Sequence, residues 1–331
     1  MLPSFIERQI FNRRFEPAGN VVLHGAGQDP GVGNRYDPSP FRNYWEAMTV
    51  QQRPRIYMSY VPLKADMPEY FRRLREALSV YRPYQVLPQI GLYMNGEGEH
   101  GTWEPPYDSL VAQGQFDPQI QAFCRELRDF AIPTFVRIGF EFNGPWNGYR
   151  SDTYIAAWQR IVNAFRKNHV DNVATIWCYC PLPSTREEPN VGRIDRDYQA
   201  FYPGDDWVDW WSIDLFSPEM FTLDNTQWFL EDAATHGFPV MIGESTPRWI
   251  GGVQQAEEAW AKWFDPFFAF IRVQPTIKAF CYINWAWDSY PEFQGWGDAR
   301  IEINLSLLDR YKNELANPWF VHAQVLTGVD S

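Results

Sequence analysis

Two glutamates stand where buried strands are predicted to end. Glu141 follows the apolar run Phe135–Phe140, and Glu244 follows Val240–Gly243. A buried carboxylate is costly unless it is paired or hydrogen-bonded, so an acid in this position on two strands indicates chemistry rather than packing. Two carboxylates that face each other across a cleft are the minimal machinery for cleaving a glycosidic bond. The two glutamates therefore form the first functional hypothesis.

The elements that must position these glutamates alternate along the whole chain. Short apolar segments predict strands, and stretches with helical periodicity lie between them. Eight such units in 331 residues give about forty residues per unit, which is typical of a (β/α)8 barrel, here a single domain over residues 1–331. The predicted strands are Val21–Leu23, Arg55–Tyr60, Gln85–Tyr93, Phe135–Phe140, Ala174–Tyr179, Val208–Leu215, Val240–Ile242 and Ile277–Trp285. The predicted helices are Met67–Val80, Ile120–Phe130, Thr153–Asn168, Gln227–Thr235, Ala256–Ile271 and Leu307–Leu315.

A doubly wound parallel sheet is the main competing fold. Such a sheet would be expected to carry a glycine-rich phosphate-binding turn after an early strand. The nearest candidate, the stretch from His24 to Gly33, lacks the G-x-G-x-x-G spacing and precedes no clear helical pattern. The barrel is therefore favoured. Because barrel active sites form at the carboxyl ends of the strands, Glu141 on the fourth strand and Glu244 on the seventh should face the same mouth.

Composition narrows the class of partner. The formal net charge of −12 argues against nucleic acid and against an anionic membrane surface, both of which need clustered Lys and Arg. No apolar stretch approaches the ~18 residues of a membrane span. The N-terminus lacks a signal-peptide layout, so a complete chain is expected in the cytoplasm, and a chain whose signal peptide was removed is expected to be secreted or periplasmic.

Aromatic residues make up 17% of the chain, including 16 Trp, which is more than a core needs. Indole rings are large and carry an N–H that requires a partner, so some of them are expected to line a cleft. Flat aromatic faces suit the C–H faces of sugar rings. A polysaccharide or oligosaccharide is therefore the expected partner.

Two sequence stretches resemble a known family. The segment from Arg137 to Trp146 reads R-I-G-F-E-F-N-G-P-W, and Tyr202–Asp214 leads into the predicted sixth strand. The first is similar to the acid/base motif R-P-x-H-E-M-N-G-x-W of glycoside hydrolase family 26, the β-mannanase family of clan A. The resemblance implies a retaining, endo-acting enzyme in which Glu141 is the acid/base and Glu244 the nucleophile.

The sequence departs from the family motif at Phe140, where the family usually has His. That His touches the substrate or the nearby carboxylates, and Phe has no hydrogen-bonding group to replace it. The choice between mannan and another β-linked glycan, including a marine or algal one, is therefore left open.

Further residues are candidates for binding the sugar. Arg137 shares a strand face with Glu141, and Trp146 follows in the next turn. Tyr179 and Asp214 end the fifth and sixth strands, and His24 is expected on the first loop. Trp285 is expected to be the aromatic platform that clan A enzymes often place at the end of the eighth strand. Other loop candidates for outer sugar contacts are Trp103, Trp249 and Trp296, and Arg150, Arg248 and Arg300 would favour an anionic sugar if they converged.

Two rival functions remain at this point. A metal-dependent hydrolase on the same barrel would show closely spaced His ligands, but the five His are not paired as HxH or HExxH. No metal or cofactor is therefore expected. A carbohydrate-binding barrel that has lost turnover is favoured only by Phe140, since both carboxylates remain. The four Cys lie in apolar patterns without a CxxC motif and are expected to be buried thiols.

Overall fold

The computed structural model describes residues 6–30, 36–95, 105–182, 196–248 and 252–325. Eight parallel strands pair in chain order, and the first pairs with the eighth, so the sheet closes on itself. The predicted (β/α)8 barrel is confirmed. The strands are β1 (Val22–Asp29), β2 (Ile56–Pro62), β3 (Leu87–Tyr93), β4 (Thr134–Ile138), β5 (Val173–Tyr179), β6 (Trp210–Leu215), β7 (Val240–Ser245) and β8 (Ile277–Ile283), and a short β9 (Phe320–Val321) pairs with β1.

Helices pack around the outside of the barrel with their apolar stripes inward. In α2 (Met67–Ser79), for example, Phe71, Leu74 and Leu78 are buried, and Asp66 caps the helix by accepting a hydrogen bond from the Glu69 amide. The other helices are α1 (Ser39–Ala47), α3 (Asp108–Ala112), α4 (Asp117–Phe130), α5 (Ser151–Lys167), α6 (Asp224–His236), α7 (Ala256–Ala259), α8 (Asp265–Val273) and α9 (Leu305–Leu315). Among the described residues, none of the helices is both long and apolar enough to cross a bilayer.

The helical segment predicted at Ala256–Ile271 is divided in the structure. It consists of α7, a π-helical turn over Trp260–Phe264 and α8. The reason is Pro266, which has no amide hydrogen to continue the ordinary ladder, so the Asp265 amide bonds instead to the Trp260 carbonyl. In the described part of the β5–β6 connection, the chain forms 3₁₀ turns at Asp197–Phe201 and Asp205–Trp207.

The barrel interior is built to enclose one large polar side chain. Arg137 on β4 is fully buried, and two of the residues that face its guanidinium group, Gly243 on β7 and Cys178 on β5, are small. A Cβ on Gly243 would lie 2.9 Å from Arg137 Nε, and Cys178 Sγ accepts a hydrogen bond from Arg137 Nη2 at 3.0 Å. Small residues on neighbouring strands therefore leave the volume that the guanidinium occupies.

Candidate active site

Glu141 lies on a tight turn immediately after β4. Its backbone is left-handed, with φ of +51°, and Gly139 before it has φ of +52°. Asn147 holds this turn because its Nδ2 donates to the carbonyls of Phe140 and Glu141, each at 2.9 Å. A non-glycine residue in this region is strained and persists where surrounding contacts enforce it. The turn aims the Glu141 side chain into the barrel mouth, where the residue is 7% exposed.

Glu244 is brought to the same place by an irregularity in β7. Ile242 pairs with Ile213, but the next pair is Glu244 with Asp214, so Gly243 is bypassed in the register. Gly243 cannot carry a side chain, because a Cβ there would lie 2.5 Å from Ser212 Oγ and 2.8 Å from Asp214 Oδ1. The bulge turns Glu244 toward the mouth, beside Asp214.

Arg137 joins two of the acids. Its Nη1 donates to Glu244 Oε1 at 2.8 Å, and its Nη2 forms a short ion pair with Asp214 Oδ2. Asp214 and Glu244 lie at the ends of the adjacent strands β6 and β7. The guanidinium group of Arg137, on β4, therefore reaches across the barrel interior to them. Burial alone would lower the pKa of Arg137, but the carboxylates of Asp214 and Glu244 outweigh it and raise that pKa. Arg137 therefore stays charged and orients Glu244 rather than facing solvent.

The three acids form one cluster. One carboxylate oxygen from each of Glu141, Asp214 and Glu244 lies within 4.8 Å of the others. Burial and the charge of Glu244 raise the pKa of Glu141 to about 7, although Arg137 and the Trp146 indole act in the opposite direction. Burial likewise raises the pKa of Asp214 despite its pairing with Arg137. The site thus contains a carboxyl group that holds a proton near neutral pH next to a carboxylate bound by a cation.

Three clustered carboxylates are also a possible ligand set for a divalent cation. Here the cluster already contains a cation, since the Arg137 guanidinium binds Asp214 and Glu244 through charge-assisted hydrogen bonds. A metal ion would have to share those oxygens with a buried positive charge. The donor set fits an internally neutralised acid pair better than a metal site.

Trp146 contacts one of the acids directly, and Trp285 lies in a cluster of aromatic rings. Trp146 Nε1 donates to Glu141 Oε2 at 2.8 Å. Trp285, just beyond β8, is half-buried, and its ring lies 4.1 Å from the ring of Tyr290 and 4.9 Å from that of Trp287. Asn284, between Ile283 and Trp285, donates to Pro40 O and Glu302 Oε2 and so has a structural role.

The prediction that His24 binds substrate from the first loop is wrong. His24 lies inside β1, which extends six residues further than predicted, and it is fully buried. Its ring nitrogens contact Tyr44 Oη at 2.6 Å and His322 Nδ1 at 3.0 Å. Because Gly25 faces the barrel interior, the preceding residue must face the helices.

Tyr179 is also misplaced by the sequence prediction. It is fully buried, its hydroxyl donates to Asp197 at 2.7 Å, and its ring stacks on Phe229 of α6. Cys178 faces Arg137 in the barrel interior, so the alternation of the strand turns Tyr179 outward. Its hydroxyl is therefore enclosed in the helical layer and does not reach a sugar in the mouth.

The tryptophans and arginines expected in the mouth loops differ in what the structure shows of them. Trp103 and Trp249 lie outside the described residues. Arg150 and Arg300 form ion pairs with Asp152 and Asp298, each two residues away in the chain. The Arg248 guanidinium lies 3.2 Å from the centre of the Trp296 ring.

Tyr60 and Asn147 also belong to the site, although no sequence motif predicted them. Tyr60 is 7% exposed on β2, and its buried hydroxyl lies near Glu244, whose charge adds to burial in raising the pKa of Tyr60. Asn147 holds the Glu141 turn and is itself held by Asn95 at 2.8 Å. The strand period placed Tyr60 on the same face as Met58 in a predicted strand, but it contains no signal that this face meets Glu244.

A closed (β/α)8 barrel with one acid after the fourth strand and another at the end of the seventh is the arrangement of clan A glycoside hydrolases. The model of glycosyl hydrolase family 26 matches residues 107–264, which contain both glutamates. The resemblance to family 26 indicated by the motif around Glu141 is therefore confirmed.

Individual relatives agree with this assignment. The β-1,3-xylanase TXYA of a Vibrio species is 29% identical over 259 residues, covering 70% of this chain and 52% of the Vibrio protein. A β-1,3-xylanase of an Alcaligenes species is 28% identical, covering 70% of this chain and 51% of its own length. The chain thus spans about half the length of these curated relatives. The family 26 β-mannanase of Bacteroides ovatus shares the fold, with a TM-score of 0.59, 16% identity and coverage of 91% of this chain and 90% of that one.

Proposed function

We propose that the protein is a retaining, endo-acting glycoside hydrolase that cleaves a β-linked polysaccharide by double displacement. One observation carries the proposal: Glu141 and Glu244 bring carboxylate oxygens within 4.8 Å of each other in a buried mouth. Retaining enzymes place their carboxyl groups about 5–5.5 Å apart, whereas inverting enzymes need about 6.5–9.5 Å to admit a water molecule. The spacing supports direct attack on the sugar.

The two glutamates take different roles because their surroundings differ. Glu244, bound by Arg137, attacks the anomeric carbon as a carboxylate, and the glycosidic C–O bond breaks while Glu141 transfers its proton to the leaving oxygen. In the second step Glu141 takes a proton from water, the resulting hydroxide equivalent attacks the same carbon, and the ester to Glu244 breaks. Both groups return to their starting forms. The raised pKa of Glu141, about 7, supports its role as the acid.

The first substrate to test is β-1,3-xylan. The sequence relatives with the longest matches are both named β-1,3-xylanases, whereas the likeness to β-mannanases is one of fold. Phe140, in place of the family His, also favours a substrate other than mannan. Trp146 and Trp285 are proposed to contact the sugar on either side of the cleaved bond.

The test is the release of oligosaccharides from β-1,3-xylan, β-1,4-xylan, mannan, galactomannan, mixed-linkage glucan and sulfated galactan. Proton NMR of the first product should show the β-anomer before mutarotation. The Glu141→Gln and Glu244→Ala variants should each lose at least about 100-fold in kcat/KM, which is the scale of acid–base and nucleophilic catalysis. The matched control is Glu231→Gln, an exposed glutamate on α6, which should retain wild-type rates.

Two results would contradict the proposal. The first is wild-type rates from either active-site variant. The second is tight binding of one of these polysaccharides, measured by calorimetry, without any product from the wild-type protein. That second result would identify a carbohydrate-binding barrel that has lost turnover.

A further inference from the structure

Tyr60 presents a buried hydroxyl group to the acid cluster. The residue is 7% exposed, and its hydroxyl forms no hydrogen bond of good geometry with a described residue, although the carboxylate of Glu244 is within weak hydrogen-bonding reach. That carboxylate lies close enough to add to burial in raising the pKa of Tyr60. A buried hydroxyl without a well-aligned partner is uncommon in native structures and calls for an explanation.

Packing fixes the Tyr60 ring in this position. Gly91 is its register partner on β3, and a Cβ on Gly91 would lie 2.6 Å from Tyr60 Cδ1. The ring of Phe140 packs edge-on against Tyr60, with 5.6 Å between ring centres. A glycine on β3 and an aromatic ring in the turn after β4 thus hold the tyrosine ring, so its hydroxyl has little freedom to turn away from the carboxylates.

Phe140 supplies no polar group on this side of the cleft. Its ring lies 4.8 Å from the guanidinium carbon of Arg137 and contacts Tyr60 and Tyr93. The family 26 motif usually has His at this position, so the chain replaces a hydrogen-bonding ring by an apolar one. Tyr60, whose ring contacts that of Phe140, carries a hydroxyl on β2.

We propose that Tyr60 is a positioning residue that donates a hydrogen bond to Glu244 during the reaction and supplies the polar contact that Phe140 cannot make. The inference rests on the proposed function and deepens it at the same site. Arg137 binds Glu244 Oε1, so the hydroxyl of Tyr60 acts on the other oxygen of that carboxylate. Tyr60 keeps its proton throughout. It orients the carboxylate for attack, and it stabilises the same carboxylate as the ester to the sugar breaks.

The test compares two Tyr→Phe substitutions that each remove one buried hydroxyl. Tyr60→Phe should lower kcat/KM roughly 10- to 100-fold, the loss expected for a hydrogen bond to a charged group. It should also move the acidic limb of the kcat/KM profile to higher pH, because a donor to the charged form is lost. The matched control is Tyr70→Phe, on α2, where the hydroxyl bonds to Ser59 Oγ at 3.1 Å and faces away from the acids. Tyr70→Phe should keep wild-type kinetics.

A second variant separates positioning from packing. Introducing Phe140→His into the Tyr60→Phe protein should recover part of the lost kcat/KM, since an imidazole restores a donor on the same side. Wild-type rates and an unchanged pH profile in Tyr60→Phe would overturn the inference. So would a loss in Tyr60→Phe that Phe140→His does not relieve.

A measurement that needs no turnover distinguishes this inference from the proposed function. Urea midpoints of the wild type, Tyr60→Phe, Glu244→Gln and the double variant form a cycle. Non-additive shifts support contact between Tyr60 and Glu244, and additive shifts overturn it. A wild-type protein that cleaves none of the polysaccharides overturns the proposed function and with it the catalytic part of the inference. An active wild type with an unaffected Tyr60→Phe overturns the inference alone.

Discussion

Glu141 and Glu244 are the same residue type in two different electrostatic settings. Glu244 is bound by a buried guanidinium, whereas Glu141 accepts its hydrogen bond from the neutral indole of Trp146. Burial therefore raises the pKa of Glu141, and the negative charge of Glu244 raises it further. The proposed roles of acid and nucleophile require two carboxyl groups in different surroundings of this kind.

The pH dependence of turnover follows from this asymmetry. A general acid works only while protonated, so kcat/KM should fall as the pH rises through about 7. Trp146 donates to the charged form of Glu141 and so holds the pKa below what burial alone would produce. The Trp146→Phe substitution should therefore move the basic limb of the kcat/KM profile to higher pH. Steady-state rates on a soluble β-linked oligosaccharide between pH 5 and pH 9 measure this shift.

Trp146→Phe also removes ring area from the mouth, and this loss can lower the maximal kcat/KM. The maximal kcat/KM and the pH of the basic limb are therefore measured separately. A change in height with no change in the limb would show that Trp146 contacts the sugar without tuning Glu141. A shift of the limb to lower pH would contradict the assignment of Glu141 as the acid.

At the scale of elements, the bulge in β7 decides where Glu244 points. The register skips Gly243 between two ordinary pairs, so the next residue, Glu244, pairs with Asp214. No side chain fits at Gly243, because a Cβ there would overlap Ser212 and Asp214 and would lie 2.9 Å from Arg137 Nε. These contacts are with packed side chains and not with the free end of a flexible one.

Gly243→Ala should therefore cost both stability and activity. Overpacking a filled interior costs about 1–3 kcal/mol of unfolding free energy, and the displaced Asp214 and Arg137 would no longer hold Glu244 in line. Urea unfolding and kcat/KM on the same preparation measure the two losses. A variant with normal stability and normal activity would show that the interior around Arg137 is looser than the contacts indicate.

Strand alternation explains both the successes and the errors of the sequence prediction. The apolar runs located eight strands, and the ends of the fourth and seventh placed Glu141 and Glu244 together. Tyr179 was assigned to the mouth because it ends a strand, although its neighbour Cys178 faces inward and so turns it outward. Position along a strand fixes the height of a residue, and only its face determines whether it reaches the site.

Other features could not be read from the local sequence. The length of β1 was underestimated because His24 and three glycines or alanines interrupt its apolar pattern, yet pairing with both β2 and β8 continues through them. Tyr60 lies near Glu244 only because the barrel closes and brings β2 across from β7. Contacts of this kind depend on the tertiary arrangement, which no single-strand pattern contains. The assignment of all 331 residues to one domain stays a prediction.

At the scale of the whole molecule, the last described strand of the barrel packs against the first. The short β9 pairs with β1, and His322 just after it contacts His24 across the joint. His322 Nε2 bonds to the Leu315 carbonyl, so that nitrogen carries the proton and Nδ1 accepts from His24 Nδ1. His24 Nε2 in turn lies 2.6 Å from the Tyr44 hydroxyl, which also contacts the Tyr311 hydroxyl at 2.8 Å. The contact between His24 and His322 needs one donor and one acceptor, so it is satisfied while both rings are neutral.

Folding stability should depend on pH through this histidine pair. Burial lowers the pKa of both His24 and His322, so the folded protein binds fewer protons than the unfolded chain once the pH falls below the usual value of about 6.5. Their contribution is therefore complete above that pH and is lost as the pH decreases. His322→Gln keeps an acceptor for His24 but removes one titrating ring. The stability advantage of the wild type over His322→Gln should shrink between pH 7.5 and pH 5.5, by at most about 1.4 kcal/mol per pH unit for each ring.

Urea unfolding of the two proteins at pH 7.5, 6.5 and 5.5 measures this difference. Glu141 and Asp214, whose raised pKa values stabilise the folded state as the pH falls, act in the opposite direction on the absolute stability. Both acids are present in wild type and variant alike and lie at the far end of the strands, so their contribution cancels in the comparison. A difference in unfolding free energy that stays constant across this range would show that the titration of the histidine pair does not affect the stability of the folded protein.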